Sequence, residues 1–205
     1  MNPLPPEFFT RFGLYAQREF LPAEACASLT HEMQAAAGAR ATVADAHGEA
    51  VEEASRRTKQ ADVSATTAAR IGKELLEALP RLSRHFGLGL VGMQSPQFLV
   101  YREGDFFRAH HDDSTEPDAP DFVAQRSVSA VVFLNGGAEP AGYSGGSLTF
   151  YGLMDEGVAG DGVGLPLAGE AGLLVAFPSH LVHAVSPVTA GERYTVVSWF
   201  FEKSA

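Results

Sequence analysis

The chain has 205 residues, 45% hydrophobic and 20% charged, with a single cysteine and a formal net charge of -10. This suits a globular protein with a substantial buried core, and the lone Cys26 excludes an intrachain disulfide. The acidic balance, without a basic cluster, weighs against nucleic acid as a partner.

The N-terminus, MNPLPPEFF, has no basic segment followed by a long apolar run. No stretch approaches the ~20 apolar residues that a membrane helix needs, so a cytoplasmic location without membrane association is expected. Residues 11–20 (RFGLYAQREF) read as a short strand. From Ala23 to about Ala37, the apolar positions Ala25, Leu29, Met33 and Ala36 recur at helical spacing, and Pro22 suits the helix start. Cys26 lies within this helix and reads as a small buried apolar residue. Residues 38–57 read as loop with at most one weak strand.

Ser64 is placed to cap a second helix whose buried stripe is Ala68, Ile71, Leu75, Leu76 and Leu79. Pro80 is expected to end or kink it, with a shorter helical turn running on to Phe86 before Gly87. Beyond residue 90 the apolar runs become short and rich in β-branched and aromatic residues: QFLVY, FFRAH, SVSAVVFL, SLTFY, GLLVAF, HAVSPV and RYTVVSWF. Such runs, separated by Gly, Pro, Asn and Asp, predict an antiparallel sandwich or barrel, with the upstream helices buttressing one outer face. The class is mainly β (α+β), a helix-supported jelly-roll in one domain over 1–205. The connections at 113–125 and 152–170 are long enough to be lids or binding loops.

Residues i and i+2 of a strand share a face, so His110 and Asp112 can present an imidazole and a carboxylate to one ion. His111 and Asp113 have the same spacing on the opposite face, and spacing alone does not choose between the pairs. Downstream, His183 and His180 are both candidates for a third ligand. The chain from His183 is expected to turn over Thr189–Glu192 into the strand carrying Arg193, placing both on one face as antiparallel neighbours. Two histidines and one carboxylate form an iron site with open positions, and the guanidinium of Arg193 is a bidentate receptor for a carboxylate.

The region from about Phe98 to Phe201 resembles the Fe(II)/2-oxoglutarate-dependent dioxygenases, specifically the prolyl-4-hydroxylase-type catalytic domain. The matching elements are Tyr101-x-x-Gly104-(x)5-His110-x-Asp112, the run RSVSAVVFLN, the run GGSLTFY, and His183-(x)3-Pro187-Val188-(x)2-Gly191-x-Arg193. The resemblance selects His110 and Asp112 over His111 and Asp113, and His183 over His180. It implies a double-stranded β-helix at 91–205, supported by a helical region at 1–90.

The resemblance also implies that His110, Asp112 and His183 bind Fe(II) and that Arg193 holds the distal carboxylate of 2-oxoglutarate. Tyr101 stands where the family often places a hydroxyl reaching the cosubstrate. Some relatives carry tyrosine at the position of Phe133, which cannot donate a hydrogen bond, and Ser129 or Tyr101 is the expected substitute. Arg193 stands where collagen-type members carry lysine. Gly145-Gly146 mark the start of a strand lining the site, while Trp199 reads as core packing.

The implied activity uses dioxygen and 2-oxoglutarate to hydroxylate a protein residue such as proline, releasing succinate, with ascorbate as reductant. The retained Asp112 favours hydroxylation over the halogenation of relatives that replace this carboxylate with a small residue. The alternatives are hydroxylation of a free amino acid or small metabolite, a cupin-like metal enzyme that does not use 2-oxoglutarate, and a catalytically silent binding module.

Overall fold

A computed structural model describes residues 2–36, 55–114, 119–137, 142–154 and 163–203. Most of the expected loop at 38–57 and parts of those at 113–125 and 152–170 lie outside the described residues. Two antiparallel sheets face each other across a cavity. The larger is seven-stranded and contains β1 (Tyr15–Gln17), β3 (Lys59–Gln60), β4 (Leu90–Met93), β5 (Gln97–Tyr101), β7 (Arg126–Phe133), β11 (Leu174–Pro178) and β14 (Arg193–Glu202). The smaller is five-stranded and contains β2 (Arg56–Arg57), β6 (Phe106–His110), β9 (Leu148–Phe150), β10 (Leu165–Leu167) and β12 (His183–Val185). The short strands β8 (Ser144–Gly145) and β13 (Val188–Ala190) pair with each other. This is the mainly β jelly-roll that the strand pattern predicts.

Alternation along the central strands decides what reaches the cavity. In β14, Tyr194, Val196 and Phe200 join the core beneath the helices. Arg193, Thr195, Val197 and Trp199, on the opposite parity, line the cavity. In β5, Phe98 and Val100 face the helices while Gln97, Leu99 and Tyr101 face the cavity. One face thus carries stability and the other carries the site.

Helices α2 (Ala23–Ala35) and α3 (Ala65–Phe86) cover the outer face of the larger sheet, α2 through Cys26, Leu29 and Met33 and α3 through Ile71, Leu75, Ala78 and Leu82. Each fully buried aliphatic side chain in that layer contributes about 1.5–3 kcal/mol by leaving water. Ser64 caps α3 as expected, its hydroxyl accepting from the Thr67 amide at 3.2 Å. Gly87 closes the helix in the left-handed region at φ 68°, a conformation that a Cβ disfavours.

The structure departs from sequence expectation in several places. Pro80 neither ends nor visibly interrupts α3, which runs continuously to Phe86. Pro80 and Leu76 are exposed, so the Leu76 carbonyl that loses its intrahelical partner faces water. For the same reason Leu76 does not belong to the buried stripe, being 49% exposed. Short helices α1 (Pro6–Thr10) and α4 (Asp121–Ala124) lie where loop or no element is expected, and β10 forms within the glycine-rich stretch at 152–170.

Candidate metal centre and cosubstrate pocket

His110 and His183 are register partners across β6 and β12. Asp112 lies just beyond the end of β6, its amide donating to the Ser179 carbonyl at 2.8 Å. The Nε2 atoms of His110 and His183 each lie 3.5 Å from an oxygen of Asp112, and the candidate ligand atoms all lie within 4.8 Å of one another. Among the described residues this is the one cluster with metal-ligating geometry. His111 is turned elsewhere, with Nδ1 against the carbonyl and carboxylate of Asp113 at 2.7 and 3.1 Å. His180 is exposed and does not line the cavity.

The imidazoles are oriented by main-chain acceptors. His110 Nδ1 lies 2.8 Å from the Arg108 carbonyl, and His183 Nδ1 lies 2.8 Å from the Leu181 carbonyl. A carbonyl only accepts, so Nδ1 of each ring carries the hydrogen and Nε2 is left with its lone pair toward the centre. Phe107 stacks on His110 with centroids 3.5 Å apart, and Phe177 meets His183 edge-on at 4.7 Å.

Burial pushes the Asp112 carboxyl up, but the His110 hydrogen bond, the charges of His183 and His110, and the Ser129 hydroxyl outweigh it and hold the group well below the carboxylate range. Burial likewise lowers His183, against the pull of Asp112, so its imidazole is neutral near pH 7. A carboxylate and a neutral imidazole are the protonation states that a metal requires.

Arg193 enters the same cavity from the opposite sheet. His183 and Arg193 are therefore not antiparallel neighbours on one face, as the intervening turn suggests. β12 pairs with β6 and β9, whereas β14 pairs with β4, β5 and β7. The chain changes sheets through Pro187, which has no amide to donate, and Gly191 at φ +75°.

Arg193 is 1% exposed, and its Nε has no hydrogen-bond partner. Its Nη1 donates to Thr195 Oγ1 at 3.3 Å, and its guanidinium carbon lies 5.0 Å from the Tyr101 ring centre and 5.1 Å from that of Phe133. Among the described residues it forms no ion pair. A buried cation without a counter-ion is costly, so the pocket is built for an anion brought from outside. The donor set and this orphaned guanidinium together fit Fe(II) and a dicarboxylate such as 2-oxoglutarate.

Tyr101 lines the cavity beside Arg193, whereas Phe133 packs behind the guanidinium and is fully buried. Ser129 lies at the metal end, its hydroxyl 3.0 Å from Ser179 Oγ and in contact with Asp112. The cavity has a volume of about 940 Å³.

Three further residues line the cavity. Trp199 lines the wall, with the guanidinium carbon of Arg126 3.7 Å from its ring centre. Arg126 Nη1 also donates to the Asp112 carbonyl at 3.1 Å, and its Nε to Gln94 at 3.1 Å. Burial lowers the Arg126 pKa, the charge of Asp112 opposes this and the charge of Arg56 adds to it. Arg56 stands over Phe107 at 4.9 Å. Sequence reasoning missed Arg56 and Arg126, which reach the cavity from β2 and β7, and took Trp199 for core.

Residues 96–201, about half of the chain, match the family model for the 2OG-Fe(II) oxygenase superfamily. The chain belongs to the 2OG-Fe(II) oxygenase superfamily. It is similar to a PKHD-type hydroxylase of Paraburkholderia xenovorans, 32% identical over 146 residues, covering 70% of this chain and 60% of that protein. A PKHD-type hydroxylase of Shewanella baltica is 28% identical over 145 residues, covering 70% of this chain and 59% of that protein. The chain thus spans about 60% of the length of these curated relatives.

Among solved structures of this oxygenase type, a Pseudomonas putida prolyl-4-hydroxylase superposes with a TM-score of 0.69 at 25% identity, covering 97% of both chains. A Trichoplax adhaerens prolyl hydroxylase, solved with a hypoxia-inducible-factor peptide fragment, shares the fold with a TM-score of 0.68 at 18% identity, covering 96% of this chain and 86% of that one. The superfamily's cofactors are Fe(II) and 2-oxoglutarate.

Proposed function

We propose that this chain is a Fe(II)- and 2-oxoglutarate-dependent hydroxylase acting on a protein residue such as proline. The observation that carries the reading is the His110–Asp112–His183 cluster facing, across one cavity, a buried Arg193 with an unpaired nitrogen. His110, Asp112 and His183 hold the metal, and the carbonyls of Arg108 and Leu181 fix the two rings. Arg193 receives the distal carboxylate of 2-oxoglutarate, with Thr195 and Tyr101 shaping that end of the pocket. Ser129 keeps the Asp112 carboxylate oriented and ionised.

When bound, Fe(II) and 2-oxoglutarate supply dioxygen activation coupled to decarboxylation of the cosubstrate to succinate. The chain itself orients both partners, excludes water with Phe107, Leu99, Val185 and Val197, and presents the substrate beside Trp199. Ascorbate serves as reductant, and the reaction takes place in the cytoplasm. A prolyl substrate is favoured by the likeness to the Pseudomonas putida prolyl-4-hydroxylase along nearly the whole of both chains.

The test is succinate release with Fe(II), 2-oxoglutarate and ascorbate against proline-containing peptides and free amino acids. A peptide that stimulates release and gains one oxygen atom at proline is the expected result. Oxygen gained only by a free amino acid overturns the protein-residue reading, and no succinate under any condition overturns the hydroxylase.

A further inference from the structure

We propose that Arg56 sets substrate specificity by holding a carboxylate of the primary substrate in the cavity beside Phe107. The inference rests on the metal and cosubstrate reading above and names the chemistry of the substrate that fits it.

Arg56 opens β2 and is the register partner of Phe107, which stacks on the ligand imidazole of His110. Its guanidinium carbon lies 4.9 Å from the Phe107 ring centre, its side chain lines the cavity, and its Nε is buried without a hydrogen-bond partner. Among the described residues it forms no ion pair. Stacking on an aromatic ring offsets part of the cost of dehydrating a cation but satisfies none of its N–H donors.

A charge inventory of the cavity leads to the same place. The acidic groups lining it are Asp112 and Asp113, and Asp113 is engaged by His111 at 3.1 Å. With Fe(II) and 2-oxoglutarate in place, the two cosubstrate carboxylates and Asp112 balance the metal and Arg193. Arg56 and Arg126 then face Asp113 alone, which leaves one surplus positive charge among the lining residues.

Arg126 spends its hydrogen bonds on the Asp112 carbonyl and Gln94, with its guanidinium carbon 3.7 Å from the Trp199 ring centre. Among the described residues the Arg56 guanidinium makes no hydrogen bond or ion pair. A cationic corner in a chain of net charge -10, walled by Phe107, Phe122 and Trp199, concentrates an anionic ligand and strengthens the pairing by excluding water. A guanidinium with free adjacent N–H groups matches a carboxylate in bidentate geometry.

Trp199 is the only tryptophan and lines the same cavity, so its emission reports occupancy without turnover. The protein is held anaerobically with Fe(II) and saturating 2-oxoglutarate. It is then titrated with N-acetylproline against its carboxamide, and with a Pro-Glu peptide against its Pro-Gln counterpart. The first pair tests a small free acid and the second an acidic side chain.

In at least one pair the acid is expected to bind at least about tenfold more tightly than the amide. Arg56→Gln brings that ratio close to one, and Arg56→Lys retains part of it, with circular dichroism confirming that both variants fold. Equal binding of acid and amide in both pairs, no binding by either acid, or a ratio unchanged in Arg56→Gln overturns the proposal. The visible absorption of 2-oxoglutarate chelated to Fe(II), read in the same samples, separates the causes. If that absorption is present, such a result overturns only the role of Arg56. If it is missing, the metal and cosubstrate reading fails, and this proposal with it.

Discussion

Arg193 and Tyr101 are register partners across β14 and β5, and the guanidinium carbon of Arg193 lies 5.0 Å from the centre of the Tyr101 ring. The aromatic ring covers one face of a buried cation and leaves its edge donors to an incoming anion. In the metal- and ligand-free protein this arrangement is unfavourable, because the charge has lost water without gaining a counter-ion.

Arg193→Leu is therefore expected to weaken 2-oxoglutarate at least about thirtyfold, since losing one partner of a buried charge pair costs about 2 kcal/mol or more. The same substitution should leave the melting temperature of the cosubstrate-free protein unchanged or higher. Calorimetric titration and thermal melts read the two effects. Unchanged affinity for 2-oxoglutarate would remove Arg193 from the pocket and favour a metal enzyme that does not use it.

Gly146 stands against this arginine. A Cβ there would lie 3.1 Å from Arg193 Cδ and 2.9 Å from Val188 Cγ2, at a φ of +57° that side chains rarely adopt. Gly146→Ala is expected to lower the melting temperature and also to raise the 2-oxoglutarate requirement by displacing the guanidinium. Gly145→Ala meets the Pro187 carbonyl oxygen at 2.2 Å, and a larger loss of stability is expected there.

The candidate ligand set was legible through the family resemblance, since spacing alone left His111, Asp113 and His180 open as alternatives. His110 and Asp112 are two residues apart, and the Pro187–Gly191–Arg193 spacing marks the second segment. The cavity's cationic corner was not legible. Arg56 reaches the site through its pairing with Phe107, and Arg126 through Trp199 and the Asp112 carbonyl, and these are contacts between separate segments of the chain. Trp199 reads as core because it stands in an apolar strand; it is 8% exposed, yet its parity with Arg193 sets it in the cavity wall. Pro80 does not end α3, and the Leu76 carbonyl that loses its partner belongs to an exposed residue.

The pH dependence of stability follows from Asp112 and His183, both lowered on folding. The unfolded chain then binds more protons than the folded one, so stability of the metal-free protein rises with pH across each window. The His183 contribution is complete above its ordinary value of 6.5 and is lost as pH falls below it; the Asp112 contribution is complete above 3.8 and is lost below that. Thermal melts from pH 8 downward should show a decline beginning near 6.5 that His183→Gln reduces. An identical profile in the variant would contradict the lowered histidine.

Arg126 ties the substrate wall to the metal end by donating to the Asp112 carbonyl while lying 3.7 Å from the Trp199 ring centre. Arg126→Leu is expected to alter Trp199 emission and to weaken metal binding about tenfold, as loss of a supporting contact around a ligand does. A metal affinity equal to wild type would show that Asp112 is positioned without it.

The most direct test of the central claim is succinate release from 2-oxoglutarate under air with Fe(II), comparing wild type with Asp112→Ala. The His110–Asp112–His183 assignment predicts succinate from the wild type and its loss in the variant, while circular dichroism shows the fold retained. Succinate released at wild-type rates by Asp112→Ala would contradict it.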